Sequence, residues 1–158
     1  MSGSDIILNK VDLGILRLMQ ENARISNVDM ARELEMAPSA VLERVKKLEH
    51  KNVILQYTTR ISPAAVGQKL LAFISMKATD GMGSNVTAKE LAKIAEVQEV
   101  HHIAGDDCYL VKVRTADSAS LMDLMRNSFS KIPNILSTRT TIVLETVKEE
   151  QQLVISES

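Results

Sequence analysis

The chain of 158 residues reads as an α+β protein, all-helical in its first part and mixed behind it. Three observations point there. Apolar residues in the first part recur at a 3.6-residue helical period. After Lys69 the pattern changes to β-branched runs separated by two short amphipathic stretches. Clusters of Gly, Asp, Ser and Asn fall between those pieces, where turns are needed. With 45% apolar and 25% charged residues, the composition is that of a soluble globular protein. No apolar run approaches the ~20 residues a membrane helix requires, and no signal-peptide pattern opens the chain, so no membrane partner is expected.

The first helix is capped by Asn9 and carries Val11, Ile15, Leu16, Leu18 and Met19 on its apolar stripe. The polar stretch ENARIS breaks it. A second helix, from Val28 to Glu35 with Ser26 or Asn27 as its cap, turns Val28, Ala31 and Leu34 inward. A turn at Met36 and Ala37 leads to a third helix opening on Pro38, which suits the first helical turn because its missing N–H would have no partner there. Val41, Val45 and Leu48 form the buried stripe of this helix. VILQYTTRIS, residues 53–62, is β-branched and reads as an extended strand ended by Ser62-Pro63, with PAAVGQ as connector.

Behind the connector, LLAFISMKA is a buried-strand pattern, DGMGSN a turn, and VTAKELAKIA a short amphipathic helix. EVHHIA and YLVKVRT are strands joined at Gly105-Asp106-Asp107. DSASLMDLMRNSF is a helix with an acidic opening and a later cation, as the helix dipole favours. ILSTRTTIVLETV, residues 135–147, is a long alternating strand suited to sheet-on-sheet association between subunits. The order β-α-β-β-α-β is the split βαβ of a ferredoxin-like domain. The expected boundaries are 1–52 for the helical domain, 53–68 for a linking strand and hinge, and 69–158 for the ferredoxin-like domain.

Two helices joined by three or four residues suggest helix-turn-helix geometry. Ala31 sits where the helices should cross closely, and Val41, ten residues on, is an inward β-branched residue. Glu35 stands where many such motifs place a glycine for the turn. By itself the pattern leaves an ordinary helical hairpin open. Charge offers only mild support. The net charge is −1, which excludes a strongly basic nucleic-acid binder on average. From Pro38 to Lys51 there are four cations against two anions. The two Phe, two Tyr and absent Trp argue against a base-stacking platform for single strands.

VDLGILRLMQENARIS, VDMARELEMAPSAVLERVKKLEHKNVI, HIAGDDCYLVKVRT and STRTTIVLETVKEEQQLVI, in that order, resemble the Lrp/AsnC (feast/famine) family of transcriptional regulators along nearly the whole chain. The resemblance implies an N-terminal, winged-helix-like helix-turn-helix domain, a linking strand paired between subunits, and an amino-acid-sensing domain. It implies double-stranded DNA as partner, and dimers that assemble further into octameric discs. The third helix would then be a recognition helix, its N-terminal residues against base edges. Pro38, Ser39, Ala40 and Glu43 become groove-facing, and Arg44 and Lys47 available to bases or phosphates, Arg being the better guanine reader. Arg24 and Lys46 would position the duplex through phosphates. Ala37 replaces the family's usual Ser cap, at a cost of about 1 kcal/mol of local helix stability.

The same resemblance places small-molecule recognition at IAGDDCYL. Gly105 can take a positive φ and let a ligand approach the backbone. Following N–H groups could hold a carboxylate, and an aspartate could pair with an α-ammonium. The family loop carries an aromatic where Asp107 stands and an Asp where Cys108 stands, so Asp106 or Asp107 would have to supply the ammonium partner. Thr138 and Thr140 on the last strand are weaker candidates. No cofactor is expected beyond an amino-acid effector.

No nucleophile–base pair, phosphate-cradling Gly-rich loop or carboxylate dyad is legible, so no catalytic residue and no enzyme activity are expected. His101 and His102, adjacent on a strand, point to opposite faces and cannot easily chelate one ion, so no metal is expected. The lone Cys108 cannot form an intramolecular disulfide, in keeping with a reducing cytosol; the resemblance implies a cytoplasmic, nucleoid-associated protein. Two other readings stay open: an effector-sensing subunit acting through protein contacts, and an architectural protein that compacts DNA without effector control.

Overall fold

The computed structural model describes residues 6–156. Two compact units are present. One runs up to Thr59 and takes back the chain from Glu149; the other is Arg60–Lys148. The C-terminal residues therefore pack with the N-terminal unit, although in sequence they continue the second.

The N-terminal unit holds α1 (Lys10–Glu21), α2 (Asn27–Glu33) and α3 (Pro38–His50). Asn9 caps α1 by accepting from Asp12 N, while the Asp12 carboxylate accepts from Asn9 N, a reciprocal capping box. Ser26, not Asn27, caps α2 through Asp29 N. The three helices bury Ile15, Met30, Ala31, Val41, Val45 and Leu48. Val28 is not among them and is 54% exposed. Helical geometry gives the reason. Met30, Ala31 and Leu34 cluster about one direction of a 3.6-residue turn, and Val28 falls well outside that stripe.

Both exits toward the next element use a residue in the left-handed region. Glu35 has φ 53° and Asn52 φ 56°. Met36 N then donates to Ala31 O at 2.8 Å, and Val53 N to Leu48 O at 2.9 Å, closing the helix ends on their own carbonyls. Asn tolerates this conformation; Glu pays a Cβ–carbonyl clash that glycine would avoid.

After α3, residues 55–62 form no strand and expose Leu55 (83%) and Ile61 (59%). The linking strand expected over 53–62 was to pair between subunits, and within one chain no described segment pairs with it.

The second unit holds β1 (Leu70–Ala78), α4 (Val86–Ala92), β2 (Val97–His102), β3 (Tyr109–Thr115), α5 (Ser118–Asn127) and β4 (Ile135–Ile142). The sheet order is β2-β3-β1-β4, every neighbouring pair antiparallel. This is the ferredoxin-like arrangement, and the protein is of the α+β class. Alternation along β1 and β3 sends Ala72, Ile74, Met76, Tyr109, Val111 and Val113 into one core with Leu91, Leu121 and Leu124 of the two helices. The opposite face of the sheet carries Phe73, Ser75, Leu110, Lys112, Arg139 and Thr141. The last strand is shorter than 135–147. It stops at Ile142, with Val143 N still donating to Leu71 O, because β1 begins at Leu70 and offers nothing further to pair with.

The returning C-terminal segment is held by Gln20 of α1. Its carboxamide spans the Leu153 backbone, Oε1 accepting from Leu153 N at 2.8 Å and Nε2 donating to Leu153 O at 3.0 Å. Gln152 Nε2 donates in turn to Gln20 O at 2.9 Å.

Replacing Glu35 by Gly relieves the left-handed strain after α2. Urea denaturation should show a gain of about 0.5–1 kcal/mol in unfolding free energy, net of the extra unfolded-state entropy. A loss would mean that the Glu35 backbone is not in the left-handed region.

Candidate nucleic-acid interface and effector loop

α3 presents two unlike sides. Val41, Val45 and Leu48 are buried. Pro38, Ser39, Glu43, Lys46 and Lys47 are exposed, and Ala40 and Arg44 half-buried. Ala37 occupies the N-cap with no side-chain hydrogen bond, so the first N–H groups of α3 are left for solvent or for an anion. Arg24 is exposed on the link between α1 and α2.

Arg44 is placed differently from its neighbours. Its Nη1 lies 3.1 Å from Asp12 Oδ1, and the Asp12 side chain is only 11% exposed. Oδ2 of the same carboxylate accepts from Asn9 N at 3.0 Å. Arg44 thus ties α3 to the start of α1 with one branch of its guanidinium. The spacing from 12 to 44 gave no sequence signal for this pair.

Tyr57 also escaped the sequence reading. It donates to Glu49 Oε1 at 2.7 Å, tethering the segment after α3 to that helix. Burial, then the hydrogen bond from its hydroxyl to Glu49, pushes the Tyr57 phenol up to about 12.

In the second unit the loop between β2 and β3 is fastened at its base and open at its crown. Cys108 N donates to Met76 O at 2.8 Å, and Ile103 N to Cys108 O at 3.0 Å. The Cys108 thiol lies against both the N–H and the C=O of Ala78, so it packs the loop onto β1. Tyr109, directly after the loop, is 1% exposed. Its hydroxyl donates to Asp80 Oδ2 at 3.1 Å, which also accepts from Thr87 N at 3.0 Å. Asp80 thereby caps α4, whose own N-cap residue Asn85 makes no side-chain capping bond. Hydrogen bonds from Thr87 hold Asp80 below the usual carboxylate range, and burial followed by the Asp80 bond raises Tyr109 above the usual phenol value.

At the crown, Gly105 has φ 145°, a conformation L-residues rarely adopt, and open space where a Cβ would stand. Asp106 is exposed. Asp107 turns inward and meets Arg139 of β4, Oδ2 to Nη2 2.7 Å. Thr138 and Thr140 flank Arg139 on β4 and point to the other face of the sheet, where the Thr140 hydroxyl lies 3.9 Å from Met125 Sδ of α5. Within one chain the structure therefore brings Gly105, Asp107, Cys108 and Arg139 together, and leaves both threonines apart. Arg139 lay outside the candidates read from the sequence, which on β4 were its neighbours Thr138 and Thr140.

His101 and His102 do diverge. His101 pairs with Glu99 at 3.0 Å, while the His102 ring lies 5.0 Å from that of Tyr109. Among the described residues no group of three or more His, Cys, Asp or Glu could hold a metal ion, and no helix is long and apolar enough to cross a membrane.

Comparison with known proteins covers both units. Residues 8–49 match the AsnC-type helix-turn-helix domain, and residues 71–153 match the Lrp/AsnC ligand binding domain. The leucine-responsive regulatory proteins of Salmonella typhimurium and Escherichia coli K12 are each 33% identical over 150 residues, covering 94% of this chain and 92% of theirs. The feast or famine regulatory protein of Mycobacterium tuberculosis, solved with L-methionine, superposes with a TM-score of 0.86 at 31% identity, covering 95% of this chain and 100% of that one. A transcriptional regulator of Neisseria meningitidis, also solved with L-methionine, gives 0.85 at 26% identity, covering 94% and 97%.

Two predictions follow the geometry. Asp12→Ala removes half of the capping box and the partner of Arg44, and should lower stability by about 2 kcal/mol in urea denaturation; Asp12→Asn, which keeps a capping acceptor, should lose less. The second concerns pH. Both tyrosines have folded values above the unfolded one, so the stability they contribute is complete below about pH 10 and is lost as pH rises through the folded values. Ultraviolet titration of the folded protein should show no phenol ionising at the ordinary value, and Glu49→Gln should bring one of the two back toward it.

Proposed function

The chain belongs to the Lrp/AsnC family of transcriptional regulators, and from that membership we propose how its parts divide the work. It is a DNA-binding regulator and not an enzyme. The observation that carries the DNA reading is α3, a polar face left exposed over an apolar underside that the rest of the unit grips. In our reading Pro38, Ser39, Ala40 and Glu43 face the bases of a double helix, with Glu43 a candidate acceptor for cytosine N4. Lys46, Lys47 and Arg24 meet phosphates. Arg44 acts chiefly by fixing the angle of α3 through Asp12, with its remaining N–H groups available to DNA.

The loop of Gly105, Asp106, Asp107 and Cys108 is the proposed effector site, and an amino acid or a related small metabolite the effector. Two structural relatives solved with L-methionine support the ligand class. Thr138 and Thr140 stay as outer candidates on β4. Cys108, packed onto Ala78, serves the shape of the loop more than its charge. An effector acts by binding two states of the assembly unequally.

Assembly is part of the proposal, since a module with few cations needs several linked copies for useful avidity. The unpaired segment with exposed Leu55 and Ile61 suits a homodimer that associates further toward an octamer. The place of action would be the nucleoid in the cytoplasm.

A mobility-shift series on duplex DNA tests the first half. Binding should weaken with salt, and Lys47→Ala should weaken it uniformly across sequences while lowering the salt slope by about 1. A folded oligomer that ignores DNA at low salt would point instead to a sensing subunit that works through protein contacts. A thermal-shift screen of the standard amino acids tests the second half, because a ligand at 100-fold its dissociation constant adds ~2.7 kcal/mol. DNA binding indifferent to all of them would mark an architectural protein.

A further inference from the structure

Asp107 is the loop carboxylate drawn out of solvent, with its side chain 13% exposed, while its partner Arg139 remains 75% exposed. On an ordinary surface such a pair contributes little. Here it joins the crown of the β2–β3 loop across β1 to the edge strand β4, on the face where Arg139 stands opposite Ser75. The loop therefore offers an incoming molecule two charges that already satisfy one another.

We propose that Arg139 is a specificity-determining residue of this loop, reading the ligand's carboxylate while Asp107 reads its ammonium. The ligand is thus a zwitterion that takes the place of the ion pair. The inference rests on the effector reading above and adds its charge logic. Parting the pair leaves a largely buried carboxylate without its counter-charge, which is costly unless a new cation arrives. A zwitterion gives each partner a replacement, and a guanidinium suits a carboxylate in two-point geometry. A 2-hydroxy acid would satisfy Arg139 but strand Asp107. An amino amide would satisfy Asp107 and strand Arg139, which water can solvate. The unequal exposure of the two partners sets the order: amino acid first, its amide second, its hydroxy acid last.

The test uses the full-length protein. A thermal-shift screen of the standard amino acids selects the strongest responder, and calorimetric titration compares it with its carboxamide and its 2-hydroxy acid on wild type, Arg139→Gln and Arg139→Lys. Expected is the order above for wild type. In Arg139→Gln the amino acid should lose at least ~10-fold in affinity relative to its amide, because the charged hydrogen bond to its carboxylate is lost while the amide no longer has an ion pair to part. Arg139→Lys should recover part of the loss, which a merely structural role would not predict. If Arg139→Gln keeps the wild-type affinity and order, or binds the amino acid more tightly, the role of Arg139 is overturned while the effector site stands. If no amino acid stabilises wild type, the effector reading falls and this inference with it.

Discussion

The Asp12 carboxylate, nearly withdrawn from solvent, divides its two oxygens between the backbone N–H of Asn9 and the guanidinium of Arg44. The first contact sets where α1 begins, and the second sets how α3 lies against it. A half-buried ion pair of this kind tolerates little movement, because separating the charges leaves one of them poorly solvated. The apolar contacts of Val41, Val45 and Leu48 supply the adhesion between helices, but they are non-directional. The hydrogen-bonded pair supplies the direction. A helix that is to enter a groove needs a fixed angle as well as a sticky underside.

The second unit meets a similar need at its loop. Backbone bonds to Met76, the Cys108 thiol against Ala78, and the Asp80–Tyr109–Thr87 network hold the loop's base to the sheet. Its crown keeps Gly105 open and ties Asp107 to Arg139, a side chain that solvent can receive. Rigidity is thus concentrated at the base of the loop, leaving the region that would contact a ligand able to exchange partners. That division suits a sensor, in which the binding groups must move while the frame that reports them does not.

Much of the architecture was legible because it follows from periodicity. The three helices, the β-α-β-β-α-β order and the cap at Asn9 are local matters, decided within a few residues. Glu35 could be singled out as the turn position from its distance to Ala31, and its backbone does take the left-handed conformation. Errors arose where a local pattern had to be completed by something distant. Val28 looked inward until the helix start at Asn27 and the packing of Met30 set the stripe. Residues 53–62 are rich in β-branched residues, and among the described residues of one chain no strand pairs with them. Residues 135–147 read as one long strand, but pairing stops where β1 begins.

By itself the sequence determined the class of fold, the order of its elements, and which helix carries a polar outer face, since these depend on spacing along the chain. It also marked Gly105 to Cys108 as an unusual loop through the resemblance of its flanks. Only the tertiary structure decided which charged groups meet: Arg44 with Asp12 and Arg139 with Asp107, each pair separated by 32 residues. Such pairings depend on the path of the backbone between the partners, and no periodicity encodes them.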